Sequence, residues 1–367
     1  MILWTLLLII FFFPLEYLGK TKNIQFLVSF LFVLLSLFLF SVRGNVGADY
    51  FNYLFFFNYV DIFFQNFVDT VKYLKIEPLY IALISVVKTA TNDFNVFLFF
   101  VSLLMYSSLV FFTYKSSVSP IFITFLYFCF ISLDGHLVQI RMGIVYSLIF
   151  VLLIYLKEKK TSVVLLIASI ASLFHYMGIF LFLFIICYQI KISPTKFISA
   201  IILSLIWHES NLLIQVLEFV SSLNVEFTPI YKLIEYQSKI DPNKISIINS
   251  INGLLFNFLI AFFLIYYKSK IHSTIRRYFV GLSNIYMVGI VLYIFFYENI
   301  YVADRILKIF MIPGLVSIAL IFTNELKFRK NFVALSFLIV FTLYSILRFY
   351  LVINSESAEI IPYSTII

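Results

Sequence analysis

Residues 141–160 read RMGIVYSLIFVLLIYLKEKK, an apolar run with one arginine before it and a lysine-rich turn after it. Together with its flanks the run is long enough to cross a bilayer as a helix. Lysines collect at the cytoplasmic ends of membrane helices, whereas a lone arginine at the opposite end needs a reason. The stretch therefore predicts a membrane-spanning helix with an anion-binding cation at its outer end.

Composition extends this prediction to the whole chain. Hydrophobic residues make up 63% of it and charged residues 12%, against about 45–50% and about 25% in soluble domains. The apolar segments are continuous and do not alternate with polar residues, which favours helices over a membrane barrel. Most of the +8 net charge falls in short loops, where topology explains it, so we expect no nucleic-acid partner.

Apolar segments recur over residues 1–367 and predict an all-α, polytopic membrane fold in a single transmembrane domain. We expect roughly twelve spans. They cover residues 1–18, 24–42, 94–113, 118–133, 142–156, 162–175, 177–190, 197–213, 253–267, 278–297, 306–323 and 331–352. The basic loops then fall on one side, which should be cytoplasmic, and both termini lie outside.

Two outer loops are long, at about 43–93 and 209–252. Residues 76–91 inside the first are apolar but short. If they formed a full span, every later basic loop would face outward, against the charge rule. We therefore expect an interfacial or re-entrant helix, which Pro78 would begin.

Polar residues gather at the outward ends of the predicted helices and could form one site. They are Arg43, Asp49, Glu77, Asp134, His136, Arg141, His175, Asp304 and Arg305. The sequence contains no phosphate-binding P-loop, dinucleotide-binding glycine run or zinc-ligand spacing. We expect no metal and no cofactor.

The arginines are the most informative of these residues. A guanidinium binds phosphate oxygens through two parallel hydrogen bonds and stays charged, so Arg43, Arg141 and Arg305 could hold one or two diphosphates. The alternative is that each reaches lipid headgroups or pairs with an acid. Arg141 would then pair with Asp134, and Arg305 with an acid near Asp304.

Three residues could move a proton. Asp49 follows a glycine-containing segment and is the first candidate for a general base. Glu77 is the second, with the alternative that it favours a helix N-terminus. His175 could donate to a phosphate or steer a hydroxyl, or it could be a polar helix cap. Tyr50 and Tyr53 could stack on sugar rings or belong to an interfacial aromatic belt.

These residues resemble the EpsG/Wzy-like family of bacterial polysaccharide polymerases. The likeness rests on Arg43-x-x-x-Gly47-x-Asp49-Tyr50-x-x-Tyr53, Glu77-Pro78-Leu79-Tyr80, Gln139-Ile140-Arg141, Phe174-His175 and Asp304-Arg305-Ile306-Leu307. Met142 departs from the pattern, because such proteins often carry a polar residue after the arginine.

The resemblance implies a GT-C-like, metal-independent glycosyltransferase in the bacterial inner membrane, with its active site facing the periplasm or exterior. Its partners would be undecaprenyl-diphosphate-linked glycans, membrane lipids and, optionally, a chain-length regulator protein. The product would be O-antigen or exopolysaccharide. Arg141 and Arg305 would bind the donor diphosphate, and Arg43 would join them or hold that of the acceptor.

Two other functions stay open at this point. A lipid-linked oligosaccharide transporter (a flippase) would carry its polar residues near the bilayer midplane, with access from both sides. An O-antigen ligase would use the same lipid donors with a different acceptor. Sequence alone separates the ligase poorly from the polymerase.

Overall fold

The computed structural model describes residues 22–210, 212–216, 247–328 and 331–354. Helices dominate these residues, and no β-strand occurs among them. The α-helices are α1 (Lys22–Ser41), α2 (Tyr50–Tyr59), α3 (Phe67–Leu74), α4 (Pro78–Ala90), α5 (Phe94–Lys115), α6 (Pro120–Tyr127), α7 (Ile140–Lys157), α8 (Thr161–Phe174), α9 (Leu183–Gln189), α10 (Pro194–Glu209), α11 (Ile247–Tyr267), α12 (Ser273–Phe295), α13 (Ile300–Phe328) and α14 (Phe332–Ile353).

Six helices in the described residues are long and apolar enough to cross a membrane. They cover Phe94–Lys115, Pro120–Val138, Ile140–Lys157, Ser273–Phe295, Ile300–Glu325 and Phe332–Ile353. The all-helical, polytopic membrane character predicted from sequence is thus confirmed. The count of twelve spans and the GT-C-like arrangement stay predictions, and the predicted span 1–18 lies outside the described residues.

The chain divides into two compact units. Unit 1 comprises residues 1–179 and 318–367, and unit 2 comprises residues 180–317. The division falls inside α13, between Ser317 and Ile318. Unit 1 therefore holds α1 to α8 and α14, and unit 2 holds α9 to α12. The single domain expected over 1–367 stays a prediction.

One end of unit 1 carries the basic loops, as the charge pattern predicts. The Lys22 ammonium at the start of α1 donates to the carbonyl of Ser116, just after the end of α5, over 2.6 Å. The Ser119 backbone N–H donates to Thr323 Oγ1, at 2.9 Å, near the end of α13. Neighbouring helices in this unit therefore run in opposite directions, and their other ends meet at the second end of the unit.

The predicted outer loop 43–93 is mostly helical, with α2, a 3-10 turn (Ile62–Phe64), α3 and α4. Pro78 is in the first turn of α4, where its missing N–H has no helical partner to lose. Tyr80, Ile81 and Ile84 on this helix are fully buried in a cluster of mainly aromatic side chains from α2 and α5. The expected helix at 76–91 is confirmed as a helix; its interfacial or re-entrant placement stays a prediction.

The predicted span 118–133 was wrong at its end, because the helix continues as a π-helix over Phe128–Val138. Asp134, Gly135 and His136 suggested an end of the helix. The structure instead buries His136, whose Nε2 shares a hydrogen bond of 2.7 Å with the Tyr127 hydroxyl. This hydrogen bond satisfies one nitrogen of the buried ring, and the helix runs on almost to the start of α7.

Unit 2 differs from the prediction at three boundaries. The predicted span 177–190 begins as a 3-10 helix, Tyr176–Phe182, before α9. The predicted span 197–213 is shorter, since α10 ends at Glu209. The predicted loop 209–252 ends earlier, because α11 begins at Ile247; residues 217–246 lie outside the described part of the chain.

Candidate functional site

A short loop brings Arg43 onto the end of the π-helix in unit 1. The Arg43 side chain is fully buried, and its Nη1 donates to the His136 carbonyl over 2.6 Å. Gly47 in the same loop has a φ of +97°, and a β-carbon there would lie 2.1 Å from the Leu137 carbonyl oxygen. Only glycine permits both this conformation and this close approach. The loop is thus packed directly on the segment that leads to Arg141.

Arg141, in the first turn of α7, is paired with the second candidate base. Its Nη1 lies 2.6 Å from Glu77 Oε2, and the two side chains are 19% and 10% exposed. The other Glu77 oxygen accepts the Tyr176 backbone N–H at 3.2 Å. The predicted alternative pairing of Arg141 with Asp134 is wrong. Glu77 also makes no side-chain cap on α4, because its carboxylate is directed to Arg141.

Aromatic rings surround the Arg141 guanidinium. Its central carbon lies 6.0 Å from the Phe56 ring centroid and 5.9 Å from that of Tyr80, within range of cation–π attraction. Arg141 Nε and the Tyr80 hydroxyl are buried without a hydrogen-bond partner among the described residues. A bound phosphate oxygen would accept hydrogen bonds from these two unsatisfied donors beside the partly exposed guanidinium.

The Tyr80 hydroxyl is under the electrostatic influence of both Arg141 and Arg43. Burial raises the pKa of this hydroxyl well above the usual range, and the charges of Arg141 and Arg43 oppose that rise. Tyr80 therefore keeps its proton at any physiological pH and can only donate to an anion.

His175 follows the last residue of α8, close to the Glu77–Arg141 pair. Its ring is buried and stacked on Tyr176, with the ring centroids 4.5 Å apart. Its Nδ1 accepts the Met177 backbone N–H at 3.2 Å. That acceptor role assigns the proton of the neutral ring to Nε2. The residue thus follows the helix end, as the predicted polar cap would, and its neutral ring has its one N–H at Nε2.

Asp49 and the two candidate sugar-binding tyrosines lie at the start of α2. Asp49 is half-buried, and its Oδ1 accepts from the Asn52 amide at 3.2 Å. Tyr50 and Tyr53 are buried, with Tyr50 in edge contact with Phe94. A sugar would have to reach these rings inside the molecule, so their predicted stacking role gains no support from their placement.

Arg305 belongs to unit 2. It is half-buried in the N-terminal part of α13 and follows the exposed Asp304. Its predicted convergence with Arg43 and Arg141 stays a prediction. The turn before α13 also carries a buried carboxyl that sequence analysis missed. Glu298 Oε2 accepts the Ile214 backbone N–H at 3.0 Å, and burial raises the pKa of this side chain.

Sequence analysis also missed Arg348 in α14 of unit 1. Its Nη1 donates to the Cys129 carbonyl at 3.0 Å, and its Nη2 lies 3.9 Å from Asp134 Oδ2. The signal was present, because Arg348 is the one charged residue in the apolar span 331–352. The same rule that selected Arg141 would have selected it.

Among the described residues, no three His, Cys, Asp or Glu side chains come together in a way that could hold a metal ion. The expectations of no metal and no cofactor stay predictions. What the unit 1 site offers is two arginines, a tyrosine hydroxyl and a histidine N–H at one end of the helices, which suits anion binding.

A sequence model of the EpsG family matches residues 23–365, nearly the whole chain. The chain belongs to the EpsG family. Membership makes it a polysaccharide polymerase-like, glycosyltransferase-like membrane protein of polysaccharide biosynthesis. Searches of curated proteins and of solved structures find no match. The EpsG match confirms the resemblance drawn from Arg43, Glu77, Arg141 and His175.

Proposed function

We propose that the protein is a membrane glycosyltransferase that polymerises undecaprenyl-diphosphate-linked oligosaccharide repeat units into O-antigen or exopolysaccharide. The reaction would take place at the outer face of the bacterial inner membrane. One observation carries the proposal. Arg141 is held by Glu77 beside the buried Tyr80 hydroxyl, at the end of unit 1 opposite its basic loops.

The chemistry needs cations at the leaving group. The acceptor hydroxyl oxygen bonds to the anomeric carbon of the donor sugar, and the bond from that carbon to the diphosphate oxygen breaks. The electron pair leaves with undecaprenyl diphosphate, and the hydroxyl proton passes to a base. Negative charge therefore grows on the diphosphate in the transition state, where fixed positive charge lowers the barrier.

Arg141 is the arginine best placed to contact that diphosphate. Its side chain is partly exposed, its Nε–H has no hydrogen-bond partner within the described part of the chain, and Tyr80 can add a hydroxyl donor. Arg43 is fully buried against the π-helix, so it would add positive potential and fix the segment that carries Arg141. His175 would donate from Nε2, and Arg305 would complete the cation set as predicted from sequence.

Asp49 remains the first candidate for the general base. Both oxygens of Glu77 accept hydrogen bonds, from Arg141 and from Tyr176, so Glu77 is better suited to orienting the guanidinium. Asp49 accepts from Asn52 through one oxygen and is half-buried. An acceptor hydroxyl could approach its second oxygen.

The test compares two charge-conserving variants in proteoliposomes supplied with lipid-linked repeat units. Arg141→Lys should lower the initial rate of polymerisation at least about 100-fold, because an ammonium cannot reproduce the forked contact. Arg277→Lys, at an exposed position near the start of α12, should retain the wild-type rate. Activity of Arg141→Lys within twofold of wild type would remove Arg141 from the mechanism.

A deletion strain separates the polymerase from its alternatives. Surface glycan limited to single capped repeats supports a polymerase. Loss of all surface repeats indicates a transporter or ligase, and accumulation of lipid-linked polymer singles out the ligase.

A further inference from the structure

Arg348 is a cation inside an apolar helix, five residues before the last residue of α14. At 1.5 Å per residue this is roughly 8 Å from the helix end, within the outer half of a bilayer. A charge at such a depth is costly and needs partners or a function. The partners that the structure shows are few and leave part of the guanidinium accessible.

In the part of the chain that the structure describes, the Arg348 guanidinium lies against a backbone carbonyl, a distant carboxylate and an aromatic ring. Nη1 donates to Cys129 O at 3.0 Å, and Nη2 lies 3.9 Å from Asp134 Oδ2. The guanidinium carbon lies 4.7 Å from the Phe130 centroid. The side chains of Arg348 and Asp134 are 21% and 17% exposed. An ion pair at 3.9 Å is loose, so a phosphate could displace the carboxylate.

Arg348–Asp134 repeats the design of Arg141–Glu77. In each case an arginine lies over an aromatic ring, a carboxylate from another helix or helix start faces it, and about a fifth of the arginine is exposed. Neither pair lies at the basic end of unit 1. Each pair therefore has the features of an anion-binding site in which the carboxylate pairs with the arginine until a phosphate displaces it.

A short backbone connection joins the two pairs. The Gln139 N–H, two residues before Arg141, donates to the Asp134 carbonyl over 2.6 Å. Gly135, next to Asp134, is packed against Gly143 of α7, where a β-carbon would lie 3.0 Å from the Gly143 Cα. Residues 134–143 thus connect the two sites at the same end of unit 1, because the segment begins with Asp134, which faces Arg348, and contains Arg141.

We propose that Arg348 forms a second diphosphate-binding subsite, which holds the lipid-linked acceptor while Arg141 holds the lipid-linked donor. This inference rests on the proposed function, since a polymerase must place two lipid diphosphates so that the hydroxyl of one reaches the anomeric carbon of the other. The acceptor diphosphate is not cleaved, and no charge grows on it in the transition state. Arg348 therefore acts in binding, whereas Arg141 acts in the chemical step.

The first experiment measures how many undecaprenyl diphosphate molecules bind to the purified full-length protein in nanodiscs. The wild type should bind two, and Arg348→Gln and Arg141→Gln should each bind one. Asp134→Asn should bind undecaprenyl diphosphate about threefold tighter, because the competing carboxylate is lost. A purely structural role for Arg348 predicts no tightening in Asp134→Asn, so this variant decides the matter even where Arg348→Gln fails to fold.

Phosphatidylglycerol serves as the competing probe, since a lipid headgroup offers the same phosphate chemistry. The proposal expects that a tenfold excess leaves the second undecaprenyl diphosphate bound. Displacement by phosphatidylglycerol would assign Arg348 to a headgroup and overturn the acceptor site. Binding of one molecule by the wild type, or of two by Arg348→Gln, would overturn it as well.

The second experiment separates binding from chemistry, with the acceptor varied at saturating donor. Arg348→Lys should raise the KM for the acceptor at least tenfold with kcat within twofold of wild type, whereas Arg141→Lys should lower kcat. If Arg141→Lys is inactive but Arg348→Lys has a wild-type KM, only the second subsite fails. If both variants polymerise like the wild type, both the second subsite and the proposed function fail.

Discussion

The two ends of unit 1 both carry ion pairs, but the pairs differ in burial. At the basic end, Lys160 and Glu158 are 2.8 Å apart, with side chains 56% and 42% exposed. At the other end, Arg141 and Glu77 are 2.6 Å apart, with side chains 19% and 10% exposed. Water screens the first pair, so this ion pair contributes little to the stability of the fold. The second pair is shielded from water, so each partner depends on the other.

The comparison shows why the arginines identify the site and the lysines do not. A lysine in a loop remains solvated, and its position reports only membrane orientation. A guanidinium shielded within an apolar helix end must be bonded, and its remaining N–H groups become a binding surface.

Removing the carboxylate from each pair gives the largest contrast. Glu77→Gln should destabilise the protein by about 4 kcal/mol, since it leaves the Arg141 charge uncompensated in a shielded place. Glu158→Gln should leave stability unchanged, because both members of that pair, Glu158 and Lys160, are solvated. Unfolding titrations in detergent micelles measure both variants. Equal effects would show that the two ends do not differ in the way their burial indicates.

The loop that covers the arginine end gives the next contrast. Gly47→Ala should destabilise the protein by about 3 kcal/mol, from the positive φ and from contact with the Leu137 carbonyl. Asn45→Ala, at an exposed position of the same loop, should be neutral. The thermal midpoint and the rate of limited proteolysis near residue 45 report the difference. A Gly47→Ala protein as resistant as the wild type would show that the loop is not fixed by this contact.

Two tyrosines near the arginine end should separate function from stability. Tyr127→Phe removes a hydroxyl bonded to His136 and should cost about 2 kcal/mol of stability, because it leaves a buried ring nitrogen unsatisfied. Tyr80→Phe removes a hydroxyl that has no partner among the described residues. It should leave stability unchanged and lower the polymerisation rate about tenfold. A Tyr80→Phe variant with wild-type activity would contradict a donor role for this hydroxyl.

Lys268, in a basic loop of unit 2, is an exception to the solvated lysines. Burial lowers the pKa of its ammonium to about 8, while the group donates to Asn284 Oδ1 at 3.0 Å. The unfolded chain binds its proton more tightly, so stability should rise with pH through the window from about 8 to the ordinary lysine value.

This pH effect is the smallest that we expect. Between pH 7 and 9 the gain should be roughly 1 kcal/mol, after allowance for the exposed part of the side chain. Lys268→Met should remove it. The measurement is the difference between wild-type and variant unfolding free energies at the two pH values. A difference that does not vary with pH, or that varies in the opposite direction, would show that the ammonium is solvated.

Sequence reading located helices and single polar residues well, because hydrophobic runs and isolated charges are local signals. By this means it selected Arg43, Glu77 and Arg141, whose roles in a site stay predictions. As the alternative to diphosphate binding it offered Asp134, seven residues away, as the partner of Arg141, whereas the partner in the structure is Glu77, 64 residues away. Partners at such separation follow from helix packing, which no local pattern encodes.

The π-helix had no such signal either. Residues 128–138 read FCFISLDGHLV, an apolar start followed by a few polar groups without a recognised repeat, and distant arginines donate to the carbonyls of this helix. Arg43 and Arg348 donate to its His136 and Cys129 carbonyls from positions 93 and 219 residues away. A helix stabilised from outside its own segment cannot be predicted from that segment.

Gly135 and Gly143 set how closely the π-helix packs against α7. A β-carbon on Gly143 would lie 2.3 Å from the Gly135 carbonyl oxygen, so the backbones touch where other residues would hold them apart. The distance between the π-helix, whose Asp134 faces Arg348, and α7, which carries Arg141, is thereby set by two missing methyl groups. Adding one methyl would push α7 away from the π-helix, and with it the Arg141 guanidinium from the Asp134 end of that helix.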